Sequence, residues 1–321
     1  MLTTPKKLRK LGILGMNRRN VEMIAAKNPR RLYPLVDDKL KTKKVAQSAG
    51  IAVPTLLGVV SQERAVKNLP QTLEAHRQFV IKPANGSGGK GILVVTHHDG
   101  DSYVKASGDS ISMEAIQRHV SNTLSGMYSL AGRADVAMIE ALVEFDPIFD
   151  DYSYEGVPDI RLIVYMGFPV MAMVRLATHE SDGKANLHQG AVGVGIDIAS
   201  GQPLRAVQHG RPVTHHPDTK HRLSDVKIPH WQRMLKLGAA CYDVTGMGYL
   251  GVDIVLDQKL GPLIIELNAR PGLAIQVANG CGLIPRFERI DGLTDAIDDP
   301  EERAQWSRQA FGAPASVSSI E

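Results

Sequence analysis

The sequence is poor in cysteine and has no long apolar run. Cys241 and Cys281 are the only cysteines among 321 residues, and they do not form a CxxC pair. This scarcity disfavours a disulfide framework and indicates a reduced, intracellular compartment. No stretch approaches 18 consecutive apolar residues, so we expect no transmembrane helix, and the basic N-terminus lacks an apolar signal core. These absences predict a cytoplasmic protein.

Net charge is also small, at +3, which does not suggest a nucleic-acid-binding protein. The charge is unevenly distributed: residues 1–44 hold 13 Lys/Arg against three Asp/Glu, and residues 291–321 hold seven Asp/Glu against two Arg. This pattern predicts a solvated basic arm and an acidic tail that contact each other. The alternative is a basic arm that docks peripherally on an anionic membrane surface or on a partner protein.

What the chain does contain is typical of a globular protein with two or three lobes, because its length allows a large core. Hydrophobic residues make up 43% and charged residues 22%.

The most informative stretch is GVDIVLDQKLGPLIIELNARPG, residues 251–272. Its apolar runs predict two strands, Val252–Leu256 and Leu263–Asn268, joined as an antiparallel hairpin.

The polar residues of this hairpin predict a metal site. If Leu256 pairs with Leu263, Asp253 lies opposite Glu266, and strand alternation places Asn268 on the same face as Glu266. Two carboxylates facing each other are destabilising unless a cation lies between them. Oxygen ligands suit Mg²⁺. The alternative is a hairpin with one solvated face. On the metal hypothesis, Asp253→Asn would lower turnover far more than it lowers stability, and relief of the repulsion could even stabilise the fold.

A glycine-rich segment, KPANGSGGKGILVV, follows the predicted strand Phe79–Lys82. Its backbone N–H groups could close over a phosphate, with Lys82 beside them. It is neither a Walker motif nor a dinucleotide fingerprint, because GK[ST] is absent and a strand follows. The alternative is a simple hairpin turn. Upstream, Lys39 lies at the start of a predicted helix that ends at Gly50.

A second hairpin is predicted from Ile160–Met166 and Val170–Leu176. If Met166 pairs with Val170, Arg175 faces Arg161, and the two guanidiniums need an anion between them or a nearby carboxylate. The alternative is that Asp159 satisfies one of them. In the polar segment that follows, Lys184, Asn186 and His188 alternate and could face one site.

Taken together, the order of these motifs resembles the ATP-grasp superfamily, and within it the ribosomal-S6-modification-type, or alpha-L-glutamate ligase-like, branch. GVDIV with ELNARPG is the most specific part of the resemblance, and KPANGSGGKG is the next. The resemblance runs from about Asp37 to Gly282. It implies an α+β ATP-grasp fold, with two α+β lobes clamping ATP between antiparallel sheets. Members usually carry a sizeable N-terminal α/β domain, whereas fewer than 40 residues precede Asp37, so we expect a truncated N-terminal segment.

The resemblance also implies roles for individual residues. Binding of ATP would fall to Lys39, Lys82, Gly86, Ser87, Gly88, Gly89, Lys184 and Asn186, with Glu140, Ala141, Leu142 and Val143 on the adenine and Asp159 on the ribose. Two Mg²⁺ ions, or Mn²⁺ in their place, would be held by Asp253, Glu266 and Asn268. The carboxylate or acyl-phosphate intermediate would be stabilised by Arg161, Arg175, His188 and Arg270.

The function implied is an ATP-dependent carboxylate–amine ligase that forms an amide through an acyl phosphate, with glutamate or another amino acid as a substrate. Its partners would be small-molecule or peptide carboxylates and amines, and homo-oligomers are compatible with the sequence. The alternatives are an ATP-binding regulatory or partner-dependent module without ligase activity, and a phosphotransferase. The predicted divisions are a basic segment 1–38, a first lobe 39–139, a second lobe 140–290 and an acidic tail 291–321.

Overall fold

The fold is described from a computed structural model of the chain. It covers residues 4–86, 89–98, 102–129 and 132–312. In these ranges no helix is both long enough and apolar enough to cross a membrane.

Helices and strands alternate along the chain in an α+β order. The helices are α1 (Pro5–Lys10), α2 (Met16–Arg18), α3 (Pro34–Asp37), α4 (Lys39–Ser48), α5 (Leu69–Leu73), α6 (Met113–Leu124), α7 (Trp231–Thr245), α8 (Ile275–Asn279), α9 (Ile284–Asp291) and α10 (Pro300–Phe311). The strands are β1 (Leu56–Val60), β2 (Phe79–Pro83), β3 (Leu93–His98), β4 (Tyr103–Lys105), β5 (Ser110–Ile111), β6 (Ala137–Glu140), β7 (Asp159–Tyr165), β8 (Phe168–Leu176), β9 (Val192–Ile196), β10 (Pro203–Gln208), β11 (Arg211–Val213), β12 (Tyr249–Asp257) and β13 (Gly261–Asn268). Shorter turns include a π-helix at Arg19–Ala25 and 3-10 turns at Arg30–Leu32 and Leu187–Gln189.

The described chain divides into two compact units. The small unit comprises residues 37–44 and 53–144, and the large unit comprises residues 4–36, 45–52 and 145–312. The division at residues 144 and 145 lies five residues beyond the lobe boundary predicted from the sequence. Residues 4–36 and 291–312, which carry the predicted basic arm and acidic tail, group with the large unit.

The small unit is built on an antiparallel sheet whose described strands run in the order β1-β6-β2-β3-β4-β5. Helix α6 packs on one face, burying Ile116 and Val120 against Phe79 and Ile81 of β2. Ser112 begins this helix by accepting a hydrogen bond from the Ala115 N–H at 3.3 Å. Because side chains alternate along a strand, Lys82 projects from the face opposite Phe79 and Ile81.

The large unit is built on an antiparallel sheet with the described order β11-β10-β9-β8-β7-β12-β13. Strand β7 lies between β8 and β12, and it is buried along its whole length. Helix α7 packs on one face, where Gly238 approaches the side chains of Leu162 and Val164. Alternation therefore places Asp159 and Arg161 on the other face of the sheet.

Tight turns set the register of the large sheet. Strands β7 and β8 are joined by Met166 and Gly167, whose φ angles of 49° and 86° suit a two-residue type I′ hairpin turn. This turn is shorter than the Gly167–Pro169 loop predicted from the sequence. A second pair with positive φ, His209 and Gly210, joins β10 to β11.

Residues at both ends of the described chain pack on the large unit. Leu14 is 1% exposed, and its N–H and C=O are both hydrogen-bonded by the Gln276 side chain, at 2.8 and 3.1 Å. Helix α10 is capped by Asp299 and lies against α7, where Arg303 pairs with Asp243 at 2.5 Å. In the described residues, the basic segment from Leu14 onward and the acidic segment up to Phe311 thus pack on the large unit, whereas α1 contains no buried residue.

Candidate active site

A buried cluster of two arginines and two aspartates lies on the large sheet. Arg161 of β7 donates both Nε and Nη2 to the Asp253 carboxylate of β12, the second at 2.6 Å. Arg175 of β8 donates to Asp159 through Nε at 2.6 Å and through Nη2, and Nη2 also reaches Asp253 at 2.9 Å. The four side chains form one continuous ion-pair network, because Arg175 contacts both carboxylates.

The pKa values of the two carboxylates of this network are shifted in opposite directions. Burial alone would raise the pKa of Asp253, but the Arg175 and Arg161 guanidiniums outweigh it and hold that pKa below its usual range. Burial, together with repulsion from Asp253, raises the pKa of Asp159 to about 6, although the Arg175 guanidinium opposes this shift. Asp253 is therefore the more firmly ionised of the two carboxylates.

The register of the second hairpin differs from the one predicted. Asp159 pairs with Arg175, and Arg161 pairs with Met173, so the two arginines do not face each other. The predicted pairing of Met166 with Val170 was wrong because the turn is one residue shorter than predicted and the register shifts between Ile163 and Val164, which leaves Val170 as an extra residue. The alternative, in which Asp159 satisfies one arginine, is confirmed.

The hairpin of β12 and β13 also has a shifted register. Leu256 pairs with Pro262 rather than with Leu263, yet Asp253 does lie opposite Glu266, as predicted. The two statements agree because the register shifts between Asp253 and Ile254, which leaves Ile265 as an extra residue. The repulsion between Asp253 and Glu266, which suggested a cation, is relieved in the structure because two guanidiniums neutralise Asp253.

Asn268 and Arg270 follow on the same hairpin. The Asn268 Oδ1 atom accepts a hydrogen bond from the Arg270 N–H at 2.8 Å. The Arg270 side chain is exposed, and its guanidinium carbon lies 4.7 Å from the centroid of the Tyr33 ring. This is cation–π distance, so Arg270 is held in place at the end of β13.

In the small unit, a buried glutamate binds two lysines. Glu140, at the end of β6, is 3% exposed, and Lys82 Nζ lies 2.7 Å from its Oε2. Lys43 of α4 lies 3.0 Å from its Oε1 and donates to the Pro54 carbonyl. Oε1 makes no well-aligned hydrogen bond despite this distance, so its contact with Lys43 is mainly electrostatic. The cluster carries one net positive charge.

Lys43 was not identified from the sequence. Burial lowers its pKa, and the Glu140 charge opposes that effect only in part. The signal that could have found it is its spacing: Lys43 is four residues after Lys39 on one helix, so both lysines share a helix face.

The glycine-rich segment is anchored at both described ends. The Asn85 backbone and side-chain N–H groups donate to the Asp135 carboxylate, the side chain at 2.8 Å. Lys39 Nζ donates to the Gly86 carbonyl at 2.8 Å. Gly91 has a φ of 75°, and a Cβ there would lie 2.4 Å from the Tyr128 ring, so the position requires glycine. Ser87 and Gly88 lie outside the described residues, while Gly89 is described with a φ of 75°.

The connector after β6 keeps its backbone close to β1. The Ala141 N–H donates to the Thr55 carbonyl at 2.9 Å, while Leu142 and Val143 continue as irregular chain. The Glu140 side chain binds Lys43 and Lys82, a role that the sequence did not predict for it.

Lys184, Asn186 and His188 are all exposed in the large unit. Lys184 pairs with Asp182 at 2.9 Å, and the Asn186 side chain accepts from the His188 N–H at 3.0 Å, which begins the 3-10 turn. Asn186 therefore has a local capping role, and no contact between these three side chains and the buried arginines is seen in the described residues.

A family model matches residues 18–292 of the chain, which is most of its length. The chain belongs to the sugar-transfer associated ATP-grasp family. The ATP-grasp fold expected from the motif order is thus confirmed, while the ribosomal-S6-modification-type branch stays a prediction. No curated protein matches the chain.

Several solved ATP-grasp structures are similar to this chain at low identity. The ligase PsnB, complexed with a phosphomimetic variant of its minimal precursor, Mg and ADP, is 13% identical, with 83% of this chain and 60% of that chain covered and a TM-score of 0.44. D-alanyl-alanine synthetase A from Vibrio cholerae O1 biovar eltor is 11% identical, with coverages of 87% and 66% and a TM-score of 0.46. D-cycloserine synthetase DcsG is 16% identical, with coverages of 88% and 72% and a TM-score of 0.43. The chain thus spans about 60% of the length of PsnB.

The ATP-grasp family implies Mg²⁺, and a magnesium site on the hairpin of β12 and β13 stays a prediction. Asp253, Glu266 and Asn268 supply two carboxylates and an amide oxygen, which is the chemistry that a hard cation prefers. Within the described ranges, no three His, Cys, Asp or Glu side chains form a metal-binding group by themselves. Both oxygens of the Asp253 carboxylate accept hydrogen bonds from Arg161 or Arg175, so a cation at this hairpin would have to share Asp253 with two guanidiniums.

Proposed function

We propose that this ATP-grasp protein is an ATP-dependent carboxylate–amine ligase, which forms an amide bond and releases ADP and phosphate. The observation that carries the proposal is the arrangement on the large sheet. Oxygen donors that suit Mg²⁺ lie on β12 and β13, and two buried guanidiniums that suit phosphate or carboxylate lie on the neighbouring strands β7 and β8.

The small unit would supply groups that bind the nucleotide. Lys39 and Lys82 would hold phosphate oxygens, and the net positive charge of the Glu140 cluster favours an anion there. Residues 85–91 would cover the phosphates with backbone N–H groups. Residues 140–143 would hold the adenine.

The large unit would supply the remaining groups. Asp159 would accept from the ribose, and Lys184 and Asn186 would reach the phosphates. Two Mg²⁺ ions, or Mn²⁺, would be held by Asp253, Glu266 and Asn268. The ions would neutralise the charge that develops on the transferring phosphoryl group.

The chemistry proceeds in two steps. An oxygen of the substrate carboxylate attacks the γ-phosphorus, the bond from that phosphorus to the bridging oxygen breaks, and ADP leaves. The amine nitrogen then attacks the acyl carbon, the carbon–oxygen bond to phosphate breaks, and the amine loses a proton. Arg161, Arg175, His188 and Arg270 would be the candidates for stabilising the carboxylate or the acyl phosphate. The network with Asp159 and Asp253 already holds Arg161 and Arg175 in place, which lowers the cost of orienting them.

The test is mass spectrometry of the products after incubation of the full chain with ATP, Mg²⁺ and pooled amino acids including L-glutamate. We expect a new mass equal to two substrates minus one water, together with ADP and phosphate. Glu266→Gln is the inactive comparison. A stable phosphate ester would instead indicate a phosphotransferase, and ATP binding without turnover would indicate a regulatory module. AMP and pyrophosphate as products would overturn the acyl-phosphate mechanism.

A further inference from the structure

Residues 19–33 of the N-terminal segment contact three consecutive residues of the loop that follows β13. The first contact is made by Asn28, which is 1% exposed. Its Nδ2 donates to the Ala269 carbonyl at 3.0 Å and to the Tyr249 carbonyl at 2.7 Å, and its Oδ1 accepts from the Tyr249 N–H at 2.9 Å. A single buried side chain thus ties the start of the loop to the start of β12.

The other two contacts follow directly. Arg19 Nη1 donates to the Pro271 carbonyl at 3.2 Å. Between these anchored residues, the Arg270 guanidinium stacks on Tyr33. Residues 269, 270 and 271 are therefore each held by a different side chain of the N-terminal segment.

The stacking matters because Arg270 is exposed and its side chain is long. A free arginine side chain has many rotamers, and fixing it at the moment of binding costs conformational entropy. A ring face at cation–π distance restricts the guanidinium beforehand, yet it leaves the N–H edges of that planar group open to bind two oxygens at once. Tyr33 can therefore orient Arg270 without occupying its donors.

We propose that Tyr33 is a positioning residue for Arg270, and that the N-terminal segment thereby forms part of the site for the substrate carboxylate. This inference rests on the proposed ligase function for the role of Arg270, but the contact itself can be tested without turnover. The segment that the sequence predicted to be a basic arm would then contribute Tyr33 to the site for the substrate carboxylate.

The contact is tested by the reaction of phenylglyoxal with arginine in the full chain, followed residue by residue by mass spectrometry. We expect Arg270 to react several-fold faster in Tyr33→Leu than in the wild type, and at the wild-type rate in Tyr33→Phe, which keeps the ring. Arg289, which stacks on Trp306 at 5.9 Å, is the internal control and should not change. Equal Arg270 rates in the wild type and Tyr33→Leu would overturn the proposal, whatever the activity.

The functional consequence is tested by steady-state kinetics with L-glutamate as the carboxylate probe. We expect Tyr33→Leu to raise the KM for L-glutamate by about two- to tenfold, with the KM for ATP unchanged, and Tyr33→Phe to restore it. Tyr154→Leu, which removes an aromatic contact with His179 elsewhere in the large unit, is the matched control. A wild type that turns nothing over would count against the ligase function, whereas an active enzyme whose KM values are unaffected by Tyr33→Leu would count against Tyr33 alone.

Discussion

At the scale of single residues, the small unit holds two lysines on one buried carboxylate. Glu140 neutralises only one of the two charges of Lys43 and Lys82. Lys82 is the more accessible lysine, with 14% of its side chain exposed against 6% for Lys43. Lys82 is therefore the lysine that a ligand could reach more easily, while Lys43 would still pair with the Glu140 carboxylate.

We expect Lys82→Met to weaken ATP binding by about 1–3 kcal/mol, the size of a contact between charged groups. Lys43 should keep Glu140 paired, so the variant should fold. Isothermal calorimetry with ATP and Mg²⁺ measures the change. Lys105→Met, which breaks an exposed pair with Asp109 in the same unit, is the control and should bind normally. Unchanged affinity in Lys82→Met would remove this lysine from the site.

Asp253→Asn is expected to abolish most turnover and to lower the free energy of unfolding by about 3–5 kcal/mol. The amide leaves Arg161 without its buried counter-charge and Arg175 with only Asp159. The sequence alone predicted only a small loss of stability, or even a gain through relief of repulsion from Glu266. The structure predicts a large loss instead, because two guanidiniums already neutralise Asp253.

Chemical denaturation of Asp253→Asn beside Glu266→Gln separates the two views. If repulsion between the carboxylates dominated, both variants would be at least as stable as the wild type. If the guanidiniums dominate, Asp253→Asn should be the less stable of the two. A stabilised Asp253→Asn would contradict the network described here.

At the scale of elements, a buried histidine ties a loop of the large unit to its sheet, and its hydrogen bonds favour the neutral form of the ring. His216 is 0% exposed, and its Nε2 donates to the Ala177 carbonyl at 3.0 Å. Its Nδ1 accepts from the backbone N–H groups of Asp218 and Thr219, both at 3.3 Å. A proton on Nδ1 would face two N–H donors, and burial also lowers the pKa of this histidine.

We therefore expect stability to fall as the pH drops below about 6.5, the usual pKa of an exposed histidine. The unfolded chain takes up a proton there and the folded His216 resists it, so its contribution is present above that pH and lost below it. The slope from this one group is at most about 1.4 kcal/mol per pH unit.

Thermal unfolding of His216→Gln and of the wild type, between pH 7.5 and 5.5, measures this slope. His216→Gln should flatten the pH dependence relative to the wild type. Burial also lowers the pKa of His119, so part of the dependence should remain in the variant. A pH profile unaffected by His216→Gln would contradict the assignment.

At the scale of the whole molecule, the N-terminal segment belongs to the core of the large unit. Leu14, Met23 and Ile24 are buried, and Asn28 bonds the backbone of Tyr249 and Ala269. The contacts that hold it are mainly hydrogen bonds and apolar packing. Docking on an anionic surface, the alternative predicted from the sequence, is not needed to explain why this segment is packed.

Deleting residues 1–30 should lower the free energy of unfolding by about 5 kcal/mol or more, because three buried apolar side chains contribute about 1.5–3 kcal/mol each. Deleting residues 1–10 should have little effect, since α1 contains no buried residue. Differential scanning fluorimetry of both deletions makes the comparison. Equal thermal midpoints would mean that the segment is a dispensable tail.

Much of this fold could be predicted from the chain itself. Alternation of apolar residues predicted both hairpins. The facing pair Asp253 and Glu266 was also predicted. These features depend on residues close together in sequence, where the period of the side chains is set by local backbone geometry.

Tertiary structure alone decided which charges pair. Arg161 and Asp253 are 92 residues apart, and their contact depends on β7 lying beside β12. Lys43, Glu140 and the stacking of Arg270 on Tyr33 likewise join distant segments. The physical reason is that an ion pair requires its groups within about 4 Å, while a single bulge or a turn shorter by one residue moves a side chain to a different partner. The sequence by itself determined the elements and the family, and the packing of those elements determined the site.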